Sequence, residues 1–231
     1  VQQVMVKTLS LSKLGFLAGS YDREHITKNY RNSKNILLAA NELILEYGRI
    51  AKEQNAELEV LNPKFAIRET IWPRAVETTL EKEIDLAWEW AGDCLATTST
   101  VPWSVCIVTT CPREISVEKI LSKRPHDFPT NAVELTGDYA GKEDTMTVGT
   151  MSNVKGFEFS VMIIVGCGAT MLPTPGRTDD EHWRDALRLY VAMTRARDQV
   201  VMIYSSGASE ILSTMNEYIE WETMMPLESS D

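Results

Sequence analysis

An α/β domain with a mostly parallel sheet and helices on both faces is the fold class this sequence predicts, and three observations predict it. Apolar runs without period, SVMIIVG at 160–166 and QVVMIY at 199–204, have the composition of strands buried on both faces. Segments with apolar residues at three- and four-residue steps lie between such runs, as crossover helices must. Strand and helix signals alternate along the chain, the pattern of parallel pairing.

The elements follow in order. Leu9 to Tyr30 is mixed in character and reads as a connecting segment ending in a short strand at His25–Asn29. Ser33 caps the next helix, whose apolar stripe is Ile36, Leu37, Ala40, Leu43, Ile44 and Tyr47, with Gly48 as its stop signal. Ala66–Trp72 reads as a strand closed by Pro73. Thr78 and Glu81 form a capping box for a helix with the stripe Leu80, Ile84, Ala87, Trp88, Ala91 and Leu95. A buried strand is expected at Ser104–Thr109, a short helix from Ser116 to Ser122, a brief strand at Ala132–Leu135, and two more in DTMTVGTM and SVMIIVG.

After a Pro- and Gly-containing loop from Gly168 to Asp180, Thr178 and Glu181 form a second capping box. The helix they open buries Trp183, Ala186, Leu187, Tyr190 and Val191. Arg184, Arg188 and Arg195, four and seven residues apart, would place three guanidiniums along one stripe beside that face. Such a stripe serves equally well as a solvated face paired with acids or as a row of charge for phosphate. A last amphipathic helix from Ala208 to Ile219 closes the fold, with a frayed acidic tail after Trp221. No repeat or clear linker divides the chain, so 1–231 reads as one domain.

Composition narrows the function classes. Hydrophobic content of 44% and charged content of 24% are those of a globular protein. No apolar run suits a membrane span and no signal sequence opens the chain, so a cytoplasmic protein without membrane attachment is expected. The chain starts at Val1 rather than Met, as a piece of a longer protein would. Cys94, Cys106, Cys111 and Cys167 form no C-x-x-C pair, and His25, His126 and His182 are scattered, so no metal site is expected. A formal net charge of -10 argues against holding nucleic acid by bulk electrostatics, and any such contact must be local.

Three segments carry chemistry. NYRNS, Asn29 to Ser33, stands where a strand turns into a helix: Tyr30 offers a face for stacking and Arg31 a fork for phosphate, although packing and a surface charge would account for the pair as well. In TMSNVKGFEF, Thr150 to Phe159, Phe157 and Phe159 alternate with Glu158, which then points away from the buried rings. Gly156 permits a close approach, and a carboxylate so placed can accept from a ribose hydroxyl or simply sit exposed on an edge strand. The third is YVAMTRAR at the end of the arginine helix.

In order and spacing these segments resemble motifs IV, V and VI of the UvrD/Rep-type superfamily 1 DNA helicases, in their C-terminal motor domain. NYRNSKNILLAANELI is similar to the family's NYRS-type motif, TMSNVKGFEF to T-x-H-x-x-K-G-L-E-F, and LYVAMTRARDQVVM to its LYVA-x-TRA motif; the likeness covers roughly Leu9 to Tyr204. The resemblance implies a RecA-like domain that forms one wall of an ATP site against a preceding RecA-like domain. By position it implies that Tyr30 stacks on adenine, Arg31 and Arg195 contact the γ-phosphate, Glu158 binds the ribose beside Gly156, and Thr150, Ser152 and Lys155 face single-stranded DNA. Ser152 stands where the family usually has His, and Phe157 where it has Leu. The span from Asn41 to Thr150 is too short for the large helical insertion many members carry there.

No G-x-x-x-x-G-K-[ST] loop occurs, since GDYAGKED at 137–144 has the wrong glycine spacing, and no acidic Walker-B strand precedes the arginines. The phosphate loop and the Mg²⁺ that accompanies ATP would belong to the preceding domain, and this chain alone should not hydrolyse ATP. Two rivals remain at this stage: a RecA-like binding or scaffold module without a motor, and a self-contained nucleotide enzyme with an unfamiliar phosphate loop.

Overall fold

The computed structural model describes residues 29–53, 62–97, 100–137, 142–176 and 178–224. The strand expected at His25–Asn29 lies largely outside them. A seven-stranded, all-parallel sheet runs in the order β5-β6-β4-β7-β8-β3-β9. Its strands are β3 (Arg74–Glu77), β4 (Val105–Thr109), β5 (Asn131–Glu134), β6 (Thr145–Thr150), β7 (Phe159–Val165), β8 (Ala196–Tyr204) and β9 (Glu220–Thr223). A separate parallel pair joins β1 (Asn29–Ser33) to β2 (Ala66–Arg68). The helices are α1 (Lys34–Glu53), α2 (Glu83–Thr97), α3 (Val117–Ser122), α4 (Asp179–Met193) and α5 (Glu210–Ser213).

Period two in the strands divides the core. Met162 and Ile164 of β7 join Val200 and Met202 of β8 on the face covered by α1, α4 and α5. Val161, Ile163 and Val165 turn with Val201 and Ile203 to the face covered by α2 and α3. The sheet is thus buried on both sides, which is why its central strands are apolar without alternation. Helices on both faces of a parallel sheet are the architecture expected from sequence.

Several local expectations need correction. Ser33 does cap α1, its Oγ accepting from the Ile36 N–H at 3.3 Å. The helix nevertheless runs through Gly48 to Glu53: a helical glycine costs only about 1 kcal/mol, too little to end a helix by itself. The strand expected over Ala66–Trp72 stops at Arg68, and a second one begins after Pro73, whose carbonyl accepts from Glu220 N–H at 2.8 Å. Proline is tolerated at a strand start, where no ladder donor is required of it. Thr78 and Glu81 form no helix cap: the Thr78 N–H is spent on the Tyr204 carbonyl at 3.0 Å, α2 starts at Glu83, and Leu80 lies exposed outside it. The last helix shrinks to α5 and a 3-10 turn at Asn216–Tyr218, and the chain about Trp221, expected to fray, pairs as β9 against β3.

Candidate nucleotide-facing cluster and its opposite edge

The three segments singled out in the sequence converge at the amino ends of β7 and β8. Arg31 on β1 and Glu158, just before β7, form an ion pair at 2.6 Å between Nη2 and Oε1, both partly exposed. Arg195 sits between the end of α4 and the start of β8. It is only 3% exposed, and its Nε has no hydrogen-bond partner among the described residues. Burial lowers its pKa, and the neighbouring Arg31 charge lowers it further, while Glu158 and Tyr190 act the other way. Arg31, Glu158 and Arg195 therefore form one electrostatic unit.

The backbone around Arg195 is held from three sides. Asn32, fully buried beside Arg31, donates its amide to the Thr194 carbonyl at 2.8 Å and to the Ala196 carbonyl at 2.7 Å, clasping the residues on either side of Arg195. The Phe159 N–H donates to the Arg195 carbonyl at 2.9 Å. Arg68 of β2 donates to the Arg31 carbonyl at 2.9 Å and pairs with Asp198 of β8 at 2.8 Å, tying the small sheet to the large one. Neither Asn32 nor Arg68 was picked out from sequence. The signal available for Asn32 was an amide between a candidate phosphate ligand and a helix cap, where a strand residue would ordinarily be apolar.

Tyr30 belongs to β1, but its side chain lies outside the described residues. Glu158, expected to be available to a ribose, is paired with Arg31 instead, and Arg31 is correspondingly engaged. The single arginine stripe is also not formed. Arg184 is exposed, Arg188 pairs with Asp185 at 2.8 Å, and Arg195 has left the helix, which ends at Met193. The capping box that opens α4 is present, with Glu181 accepting from the Thr178 N–H at 3.0 Å.

Thr150, Ser152, Lys155 and Gly156 lie on the segment that leads from the carboxyl end of β6 toward the amino end of β7. Thr150 donates to Asn153 at 2.8 Å, and Asn153 donates to the Leu135 carbonyl at 2.9 Å, which fixes the turn that follows. Gly156 has φ +94°, a conformation side chains rarely adopt, with open space where a Cβ would sit. Ser152, Lys155 and Gly156 line an open groove of about 590 Å³ with Phe157 and Gly137. Ser152 and Thr150 also line a second cavity of about 200 Å³ outside the carboxyl ends of β4 and β6, with Thr109, Thr110 and Arg188. The residues expected to face nucleic acid thus lie along one turn.

No group of His, Cys, Asp and Glu suited to a metal ion occurs among the described residues, and none of their helices is long and apolar enough to cross a membrane.

Comparison with known proteins bears on the family and the fold. Residues 115–207 match the profile of the UvrD-like helicase C-terminal domain, which takes in Glu158 and Arg195 and leaves out Arg31. The C-terminal domain of a possible DNA helicase from Lactobacillus plantarum WCFS1 has a similar fold, with TM-score 0.59, 14% identity, and coverage of 84% of this chain and 98% of that one. At that identity the likeness establishes the RecA-like fold alone. The UvsW helicase from bacteriophage T4 is more distant, at TM-score 0.35, 12% identity, and coverage of 67% of this chain and 54% of its own, and carries no argument. No curated protein matches the sequence.

Proposed function

We propose, starting from the match of residues 115–207 to the UvrD-like helicase C-terminal domain, that this chain is the second half of an ATP-dependent DNA helicase motor. On this reading it completes the ATP site of a preceding RecA-like domain and contacts single-stranded DNA. The observation that carries the reading is Arg195: a guanidinium 3% exposed, unpartnered at Nε, on a backbone clasped by Asn32 and Phe159. A fold gains nothing from a buried, under-satisfied cation, since burying a charge costs free energy unless it is paired. A site that must meet a phosphate gains a preorganised ligand.

Bound ATP supplies the phosphoryl group whose transfer gathers negative charge on its terminal oxygens. Arg195 and Arg31 would meet that charge. Arg31 would first have to exchange Glu158 for phosphate, which would release the carboxylate for a ribose hydroxyl, with Tyr30 stacking on the base. Mg²⁺ would be held by the preceding domain. The rival reading, a module that kept the fold and lost the motor, has no use for the strained electrostatics of Arg195.

The test is made in the protein that carries this chain behind a phosphate-loop domain, found by reading the coding sequence upstream of Val1 for G-x-x-x-x-G-K-[ST]. Arg195→Ala there should cut ATP turnover by about 10³–10⁵ while leaving nucleotide affinity largely intact. Arg195→Lys should rescue little, because a point charge does not reproduce the planar fork. Wild-type turnover in Arg195→Ala would refute the assignment.

A further inference from the structure

The sequence places a serine, Ser152, where the resembling family usually has histidine, and the structure places an arginine beside it. Ser152 and Arg188 line the same cavity of about 200 Å³, outside the carboxyl ends of β4 and β6. The cavity lies beside β4 on its β6 side, one strand from the neighbours β4 and β7 at which the crossovers part to opposite sides. Open α/β sheets receive ligands in crevices beyond the carboxyl ends of their strands.

Arg188 is held for this position. Asp185, one turn earlier on α4 and 3% exposed at its side chain, accepts from Arg188 Nη1 at 2.8 Å with one oxygen and from the Thr174 N–H at 3.0 Å with the other. The buried carboxylate is thereby fixed to the loop before α4, and it fixes the guanidinium in turn. Among the described residues Arg188 has this one partner, so most of its five N–H donors remain for the cavity. Asp185 offsets one positive charge. Arg113 at the rim restores the excess, and among the lining residues Asp185 is the one carboxylate against two guanidiniums. Thr109 contributes a buried hydroxyl without a partner among the described residues. The space suffices for a phosphate group with several waters, each taking roughly 30 Å³.

We propose that Arg188, oriented by Asp185, binds a backbone phosphate of single-stranded nucleic acid in this cavity, supplying from α4 the polar contact that Ser152 is too short to make. The proposal rests on the nucleic-acid reading given above and adds a residue to it. Arg188 lies outside the three segments whose roles the resemblance assigns.

The test titrates a labelled oligo(dT) with the 231-residue chain at increasing KCl concentration. A lost phosphate contact lowers the slope of log affinity against log salt, so Arg188→Gln is expected to reduce it by about one. Affinity at low salt should fall about 10-fold. Arg188→Lys should keep the slope and recover part of the affinity. Because Arg188→Gln strands the Asp185 carboxylate and could harm folding, the pair Asp185→Asn with Arg188→Gln is run beside it and should lose the same slope. Equal slopes in the unchanged chain and both variants overturn the proposal while the nucleic-acid reading stands. Failure of the unchanged chain to bind oligo(dT) even at low salt overturns that reading, and this one with it. If ATP binding falls in Arg188→Gln while the oligo(dT) slope does not, the phosphate belongs to a free nucleotide and the backbone assignment is refuted.

Discussion

Two buried charges behave differently because their surroundings differ. Glu83, fully buried at the start of α2, accepts from the Gly166 N–H at 2.7 Å and from the Ser205 hydroxyl at 2.5 Å, joining the ends of β7 and β8. Burial pushes its pKa up, against the pull of those two donors. A carboxyl whose folded pKa exceeds its unfolded value binds its proton more tightly in the folded state. Stability therefore declines as pH rises from the ordinary Glu range through the raised value, then levels off. Glu83→Gln keeps an acceptor for Gly166 and can donate to Ser205, so it should be as stable as the parent above neutral pH and should flatten the decline. Glu83→Ala leaves a cavity and two stranded donors and should cost about 2–4 kcal/mol. Denaturant titrations across pH check both, and a pH profile unchanged by Glu83→Gln would show that another group is responsible. Arg195 behaves in the opposite way: with no ion-pair partner among the described residues, Arg195→Met should leave the melting temperature unchanged or raise it. A marked fall would make Arg195 a structural residue.

At the scale of elements, the junctions decide. Asn32 satisfies the carbonyls of Thr194 and Ala196 at once, so Asn32→Leu, similar in size, should cost about 1–3 kcal/mol by stranding buried acceptors, and should loosen β1 from β8. Faster hydrogen exchange at the start of β8 would report that loosening. Near the other end of β8, Gly168 passes so close to the chain that a Cβ would lie 2.1 Å from the Ser205 carbonyl oxygen. Backbone has to move to admit it, so Gly168→Ala should cost about 1–3 kcal/mol, read from the midpoint of a urea transition. The long central strands and α4 were legible in sequence, because their patterns run for several turns or residues. Two short strands were not: β3 and β9 are four residues each, begin beside Pro73 and a 3-10 turn, and acquire strand character only by pairing with each other and with β8.

For the whole molecule, charge and architecture set what the isolated chain can do. A net charge of -10 with basic groups gathered in small areas gives few phosphate contacts, so the 231-residue chain should bind single-stranded DNA weakly and lose it steeply as salt rises. Tight binding at physiological salt in a filter or anisotropy assay would contradict this. Lacking a phosphate loop in its sequence, it should also fold, bind ATP poorly and show no turnover; robust hydrolysis by clean protein would refute that expectation.

By itself the sequence determined the class of fold, the identity of the central strands, and the residues whose chemistry suits phosphate. Periodicity and composition are local properties, and Arg31, Glu158 and Arg195 carry their functional groups wherever the chain puts them. Tertiary structure alone decided that Arg31 and Glu158 grip each other, that Arg195 leaves the helix to be clasped by Asn32, and that Arg188 turns to the opposite edge of the sheet on Asp185. Those partners are 127, 163 and 3 residues apart in the chain. The first two exist only once the parallel crossovers have brought distant segments together; the third, although local, acquires its meaning from the cavity that β4 and β6 build beside it. Spacing can state which groups are present on an element, whereas the edge of the sheet they reach is set by where the helix packs and ends.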